Sequence, residues 1–488
     1  MRIFKLLFIA TALGTIYLPG LATAQEMQMP MPPQAPAQAH EHSAAPLQAI
    51  YPRMGRSQEN PSGALLTLDA AQRITSENNP TLRQAEAQIR ASKARQHQAS
   101  LYPNPTIGYI GDEIRGGSVG GGKQGFFVQQ TIVTGGKLAR SEEVYAKDLR
   151  VAEIEAEEQK LRVQTAVKTA FYRVLASQEL LEARRDLAKI EMQYTETQRR
   201  LYNTGQTDET ELLEAEINSQ RMALQVRMQE NSLREEWRSL AALLGQPDLP
   251  QSVVSGDLEH AWPELNEDQI VEQIASQSPA VAIAEAGSSR AQSEIAQARR
   301  LYIPDLQLRG GMEYNNDLLG GSPRSKGWEG LAEVSMQVPL FNRNQGYIEA
   351  ASADLDRANL EKRRIALTLR SRAASVVDEY SSAKLMAVEY RDEILPRAKK
   401  SYALMLQKYG EMLAAPPRVI ESQRKLYELQ TQYIMALGTV WGTGIALQGY
   451  LLTDGLESPA RPGDVDRPVR ETNVPERAPS PGQNTPRP

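Results

Sequence analysis

The chain of 488 residues contains no cysteine. That excludes disulfides, a thiolate nucleophile, Cys-ligated zinc and lipid attachment through an N-terminal cysteine. Aromatic residues make up only 6% and there are four histidines. Neither an HExxH pattern nor a Walker motif occurs, glycine pairs sit in turn-like stretches, and no catalytic constellation is visible. An enzyme is therefore not expected, no cofactor is implied, and the chain carries no nucleotide site to power a cycle. Large net charge is missing as well: the formal value is −5, too acidic to suit a nucleic-acid binder.

The first 24 residues read as a secretory signal. Arg2 and Lys5 are followed by a largely apolar run from Leu6 to Leu18 and by the small-residue site "ATA" at 22–24. Removing them takes away two basic residues and no acid, so −5 becomes −7. Residues 25–63 are rich in Pro, Gln, Met and Ala, and 453–488 in Pro, Arg, Asp and Glu; both read as irregular. In the leader, Met27, Met29, Met31, His40 and His42 are soft or imidazole donors suited to Cu(I), Ag(I) or Zn(II). The alternative is a flexible leader that merely contains them.

Between these ends the chain repeats itself. One copy spans 64–250 and the other 262–452. Each begins with a short helical stretch that meets a proline (Pro80, Pro279), continues as about two dozen helical residues, and closes on Leu-Tyr and proline, "LYPNP" at 101–105 and "LYIPDL" at 301–306. Ungapped alignment then pairs Gln130 with Gln337, Glu142 with Glu349 and Tyr202 with Tyr409, all 207 apart. Trp237 and Gly245 pair with Trp441 and Gly449, 204 apart. The uncharged stretch 433–452 has the length and the GxxxG of a transmembrane helix. Its counterpart in the first copy carries Arg234, Glu235, Glu236 and Arg238, so the repeat favours a buried helix end instead.

After LYIPDL the sequence alternates. Leu306, Leu308, Gly310, Met312 and Tyr314 share one face, and Gln307, Arg309, Gly311, Glu313 and Asn315 the other. A second alternating run carries Trp328, Gly330, Ala332, Val334, Met336 and Val338. The first copy has counterparts at 106–114 and 124–133. Runs of roughly ten residues suit tilted membrane strands, although alternation alone fits a half-buried soluble hairpin equally well. The helices add weight. Residues 137–203 lack both Gly and Pro, so one helix of about 100 Å is allowed at ~1.5 Å per residue. The copy at 343–409 matches in length, with a kink expected at Pro396. Such helices suit a tube, not a compact domain. Four strands are too few to close a barrel, and an open edge in lipid leaves backbone groups unsatisfied, so several chains must share one.

Over about 65–450 the sequence resembles the TolC family of outer-membrane efflux channels. "LYPNP", "QQTIVTGGK" (129–137) and "VPLFNRNQG" (338–346) resemble its heavy-metal branch, the cation and copper/silver efflux components. The resemblance implies an α+β membrane protein: a trimer with a 12-stranded transmembrane barrel and a periplasmic tunnel of long antiparallel helices. It implies an outer-membrane location in a Gram-negative bacterium. The implied partners are a periplasmic adaptor (membrane fusion) protein and an inner-membrane RND-type pump, with heavy-metal cations as the cargo. Drug or small-solute export is the alternative within that class, and a periplasmic coiled-coil scaffold without a barrel is the alternative outside it. The resemblance also places an adaptor-contact tip at Tyr202, Asn203, Thr204, Gly205 and Gln206, with Gly410 in the second tip. Gly205 is expected to take positive φ in a turn over Asn203–Thr207. The second tip would carry the entrance gate through Tyr409, Arg418 and Glu421. Arg418 stands where the family has an acid and Ala414 where it has an arginine, so only half of an acidic ring is present. Arg418 is free either to pair with Glu421 or to join closed-state contacts.

Overall fold

The computed structural model describes residues 65–114, 122–316, 327–411 and 413–457. The expected signal peptide, the Met/His leader, the glycine-rich turn between the last two strands and the tail beyond 457 lie outside them.

Each half starts with a pair of helices built by the same local chemistry. Helix α1 (Leu68–Asn78) is capped by Thr67, and α2 (Pro80–Ser100) by Asn79, whose Oδ1 accepts from the Thr81 N–H at 3.0 Å. In the second half α5 (Glu267–Gln277) is capped by Asn266. Ser278, whose Oγ accepts from the Ala280 N–H at 3.3 Å, caps α6 (Pro279–Ala298). Both prolines occupy the first helical turn, where a missing N–H costs nothing and the fixed φ suits the helix.

Then come four strands: β1 (Thr106–Asp112), β2 (Lys123–Ile132), β3 (Leu306–Asn315) and β4 (Gly327–Met336). They form one antiparallel sheet in the order β1-β2-β3-β4. The two halves meet at β2 and β3, where Lys123 faces Asn315 and Ile132 faces Leu306.

Two long arms follow the hairpins. Helix α3 (Lys137–Asn203) runs unbroken for 67 residues, as the absence of Gly and Pro allowed. It turns into α4 (Glu209–Leu243). The second arm starts as α7 (Gln345–Glu389), passes through a π-helical turn at Tyr390–Ile394 and continues as α8 (Leu395–Gly410) before turning into α9 (Pro416–Gln448). The interruption lies immediately before Pro396, which has no N–H to donate and crowds the preceding turn. The expected kink is thus a π turn.

Helix α3 forms the axis of the bundle and packs against α2, α4, α6 and α9. Val163, Val167, Ala170, Val174, Ser177 and Leu181 are all buried along it, spaced four and three alternately as a coiled-coil seam requires. Midway along the arms the core widens around the 244–266 connection. Trp237 donates from Nε1 to the Leu249 carbonyl at 3.1 Å, and Trp441 to the Leu258 carbonyl at 2.9 Å. Tyr172 stacks on Trp441 with ring centroids 3.7 Å apart, and the Tyr380 hydroxyl donates to the Pro263 carbonyl. The uncharged stretch after 433 is the buried end of α9: Tyr433, Leu437, Val440, Trp441 and Leu447 are inside. Among the described residues, no helix is long and apolar enough to cross a membrane. Packing continues past α9, where Glu457 pairs with Arg162 of α3.

One sequence alignment needs correction. The long helices are preceded by left-handed residues, Gly136 (φ 68°) and Asn344 (φ 65°), which lie 208 apart. An offset of 207 would also place matching strand residues on opposite faces, because side chains alternate with period two. The correspondence of the strands and linkers is therefore 208.

Candidate functional site

The sheet has two chemically distinct faces. Tyr109, Phe126 and Met312 lie in register across β1, β2 and β3. They belong to a face on which Ile107, Val128, Leu308, Tyr314, Trp328, Val334 and Met336 are exposed too. Edge-to-face aromatic pairs join neighbouring strands there, Tyr109 to Phe126 at 5.9 Å and Tyr314 to Trp328 at 5.5 Å. A contiguous apolar face of this extent is not tolerated in water and matches the lipid face of a membrane strand. The opposite face is polar and tied together. Lys123 on β2 meets Glu329 on β4 at 3.1 Å, the Asn315 amide donates to Glu329 at 2.7 Å, and the Arg309 guanidinium lies 4.0 Å from the Phe127 ring centre. Glu313 and Asn315 are buried on it. The alternation in the sequence is therefore apolar to lipid and polar to a lumen, as a barrel wall requires. Among the described residues, its outer edges, β1 and β4, have no strand beside them.

The LYPNP and LYIPDL stretches join helix to strand as expected. Helix α2 ends at Ser100 and β1 starts at Thr106; α6 ends at Ala298 and β3 starts at Leu306. Tyr102 and Tyr302 are both exposed at these hinges. Asp305 was not singled out in the sequence, yet it anchors the hinge between the halves. It accepts from the Thr134 N–H at 3.0 Å and pairs with Lys137 at 2.8 Å. Its position one residue after the hinge proline was the available signal.

At the first tip Tyr202 through Gln206 are all exposed. The turn is closed by the Gly205 N–H donating to the Tyr202 carbonyl at 2.9 Å and the Gln206 N–H to the Leu201 carbonyl at 2.8 Å, a Schellman-like end. Gly205 has φ +70° and nothing near its missing Cβ, so its backbone conformation, not space, requires glycine. Asp208 then caps α4, accepting from the Glu211 N–H at 2.9 Å. Above the turn, Leu213, Ile217, Leu224 and Met228 stand exposed on α4.

At the second tip α8 ends at Gly410, and the Leu413 N–H donates to the Lys408 carbonyl at 2.8 Å. Tyr409 is exposed. Arg418 faces Glu421 one helical turn on, 3.7 Å apart, with both side chains largely in solvent. Sequence reasoning missed a contact higher up. Glu191 of α3 is buried, and Arg424 of α9 reaches one of its oxygens at 3.8 Å. Burial pushes the Glu191 carboxyl above the ordinary carboxylate range, against the pull of Arg424, with a further push from Glu428 and a lesser pull from Arg221. Another buried charge bridge holds α6 to α3, with Arg290 meeting Asp148 at 2.6 Å and Glu294 at 2.8 Å. Among the described residues, no group of three or more acidic or histidine side chains is placed to hold a metal. The Met27, Met29, Met31, His40 and His42 set lies outside them.

Residues 73–246 and 270–451 match, in two successive segments, the family described as outer membrane efflux protein. The chain belongs to the outer membrane efflux protein family. Its fold is that of an outer-membrane efflux channel, not of an enzyme. The cobalt-zinc-cadmium resistance protein CzcC of Cupriavidus metallidurans is 23% identical over 380 residues, covering 77% of this chain and 87% of the relative. The nickel-cobalt-cadmium resistance protein NccC of Alcaligenes xylosoxydans xylosoxydans is 25% identical over 301 residues, covering 58% of this chain and 64% of that protein. Among solved structures, CusC superposes with a TM-score of 0.63 at 16% identity, covering 80% of this chain and 92% of that one. The outer membrane protein VceC of Vibrio cholerae gives 0.61 at 16%, covering 80% and 97%. This efflux protein thus places its apolar strand face in the outer membrane and extends its arms away from it.

Proposed function

We propose that the protein is the outer-membrane duct of a tripartite efflux system. A homotrimer closes the barrel, and heavy-metal cations delivered by an inner-membrane RND-type pump and a periplasmic adaptor pass through it to the exterior. The observation that carries the channel reading is the four-stranded sheet with a lipid-compatible face, a charged lumen face and two unpaired edges, set at one end of helical arms of about 100 Å at ~1.5 Å per residue. The resistance proteins named above support the metal cargo. A wide passive duct needs no selective site; cargo choice belongs to the pump and adaptor.

The exposed turn Tyr202–Gln206, the Gly410 turn and the apolar stripe above the first turn are the surfaces for the adaptor. Tyr409, Arg418 and Glu421 belong to the entrance. Three copies of Glu421 would present a cation-attracting ring, weakened here because Arg418 stands beside each one.

Deletion of the gene tests the cargo. The deletion strain is challenged with cobalt, zinc, cadmium, nickel, copper and silver, and in parallel with dyes and detergents. Loss of tolerance to the metals alone is the expected result. Loss of tolerance to dyes and detergents with unchanged metal tolerance reverses the cargo assignment and leaves the duct itself standing.

A further inference from the structure

The chain passes between helix and strand four times, and these passages are almost free of carboxylates. No Asp or Glu occurs in 87–111, 114–141, 295–304 or 334–348, while basic residues remain in each. Asp305, at the edge of one passage, is paired with Lys137 at 2.8 Å. In a chain of formal charge −5, basic residues without acids at one level need a reason.

The positive charge gathers at the end of α6. Arg299 and Arg300 follow its last residue, Ala298. The side-chain amide of Asn344, in the linker between β4 and α7, donates to the Ala298 carbonyl at 2.7 Å. That bond brings the neighbouring Arg343 to the same helix end. All three arginines are exposed, and among the described residues none of them has an ion-pair partner. The negative end of the helix dipole accounts for Arg299 and Arg300. It does not account for a third cation delivered by a separate element, since like charges held together repel. An anion among them removes that repulsion, and guanidinium forks match a phosphate.

The surroundings say which phosphate. Leu301, Tyr302, Leu340 and Phe341 are exposed next to the arginines in sequence, and the apolar face of β3 continues from there with Leu308 and Met312. Basic residues beside aromatic and apolar ones, at the level where a lipid-facing sheet ends, are the composition of a headgroup layer. We propose that Arg299, Arg300 and Arg343 bind the phosphate of an anionic phospholipid, phosphatidylglycerol being the simplest, on the helical side of the sheet. Its acyl chains would run along the apolar face of β3 and β4. The proposal rests on the membrane placement of the sheet and not on the cargo of the duct. The junction inside the chain has no equivalent, because Asp305 takes Lys137 and Glu143 takes Arg140 at 2.6 Å. One such site per chain is therefore expected. At the far end of the sheet Asp112 faces Lys123 and Glu313 faces Glu329, so the described part of that rim does not share the basic character.

Lipid titration of the detergent-solubilised protein, followed by native mass spectrometry, tests this. Phosphatidylglycerol should bind about ten-fold more tightly than phosphatidylcholine, filling one site per chain before any other. Arg299→Gln with Arg300→Gln and Arg343→Gln should bring the two lipids close to equality. Lys399→Gln with Lys400→Gln, on α8 of the far arm, should leave the preference unchanged. The charge-keeping set Arg299→Lys, Arg300→Lys and Arg343→Lys should retain most of it. Rising ionic strength should erode it. The same spectra report the assembly, so if the glutamine set fails to assemble, the lysine set and the salt series on the unmodified protein decide. Equal binding of the two lipids by the unmodified protein overturns the proposal. So does a preference that survives the glutamine set or high salt. Displacement of phosphatidylglycerol by inorganic phosphate at matched ionic strength gives the site to the free anion and overturns the lipid assignment. Flotation of the unmodified protein with phosphatidylcholine vesicles checks the membrane placement separately, and failure there would remove the sheet from the bilayer and the lipid site with it.

Discussion

The two arms descend from one repeat and are almost equally long, yet the chain treats them differently. Helix α3 is continuous and buried along most of its length, with other helices around it. The second arm is interrupted at Tyr390–Ile394, and beyond Leu395 the described part of α8 has no buried residue, while Leu404, Leu406 and Tyr409 are exposed. The linkers repeat the asymmetry, the first half-buried and the second in solvent. The first copy packs its linker and its long helix inside the chain, and the second leaves its linker and the far end of its arm exposed.

The strongest way to break the comparison is at the buried charge bridge that fastens α6 to the central arm. Arg290→Met leaves Asp148 and Glu294 facing each other without their cation. Breaking a buried pair from one side costs about 3–5 kcal/mol. The expected outcome is a large drop in the denaturation midpoint of detergent-solubilised protein, followed by circular dichroism. Adding Asp148→Leu and Glu294→Leu should recover much of that loss, since an apolar trio removes the uncompensated charges. At the widest part of the core, Trp441→Ala removes a buried ring stacked on Tyr172, with about 3–5 kcal/mol expected for such a truncation. Trp237→Ala serves as the matched test in the first copy.

Smaller effects separate the tips. Gly205→Ala forces a β-carbon into the left-handed region at a cost of about 1–2 kcal/mol. Open space around it means no clash adds to that, so the channel should still assemble with a modestly lower midpoint. Glu191 tests the contact between the arms through pH. Its carboxyl is held above the ordinary range by burial, so the folded state keeps the proton to higher pH than the unfolded chain does. Stability from this group is fully present below the ordinary carboxylate range. It is lost as pH rises from there through the raised value. Glu191→Gln should flatten that segment of the stability–pH curve, read as denaturation midpoints across the acidic to neutral range.

Much of this was legible in the sequence because it depends on local chemistry. The absence of Gly and Pro from 137–203 announced an unbroken helix, Pro396 a defect, and alternation after LYIPDL the two sheet faces. What escaped depended on three-dimensional contact. Glu191 and Arg424 lie far apart in the chain and meet only because α9 packs on α3. Asp305 gains its role only when the two halves come together. Register was the subtlest loss. Matching Gly245 with Gly449 looked secure, yet Gly245 holds the left-handed position (φ 73°) while the second copy gives that conformation to Tyr450 (φ 55°). The corresponding hydrogen bonds, Gln246 N–H to the Ala241 carbonyl and Leu451 N–H to the Ala446 carbonyl, place the turn one residue later. Identity of residues aligned the copies; backbone geometry aligned them differently.

The smallest effect is expected at the entrance, and it sharpens the contrast between pairing within a chain and pairing between chains. Arg418 and Glu421 are 3.7 Å apart with both side chains mostly in solvent. Exposed pairs of this kind contribute about 0–1 kcal/mol, so Arg418→Ala should leave the denaturation midpoint nearly unchanged. Its consequence lies in electrostatics instead. On the proposed placement of Glu421 at the entrance, removing the cation beside each copy should strengthen a negative ring, and cation preference in planar-bilayer reversal potentials should increase. The increase should shrink at high ionic strength, where exposed charges are screened. Glu421→Gln should move the preference the opposite way. If both substitutions leave the reversal potential where it was, these residues do not face the entrance, and the second tip is only a turn between α8 and α9.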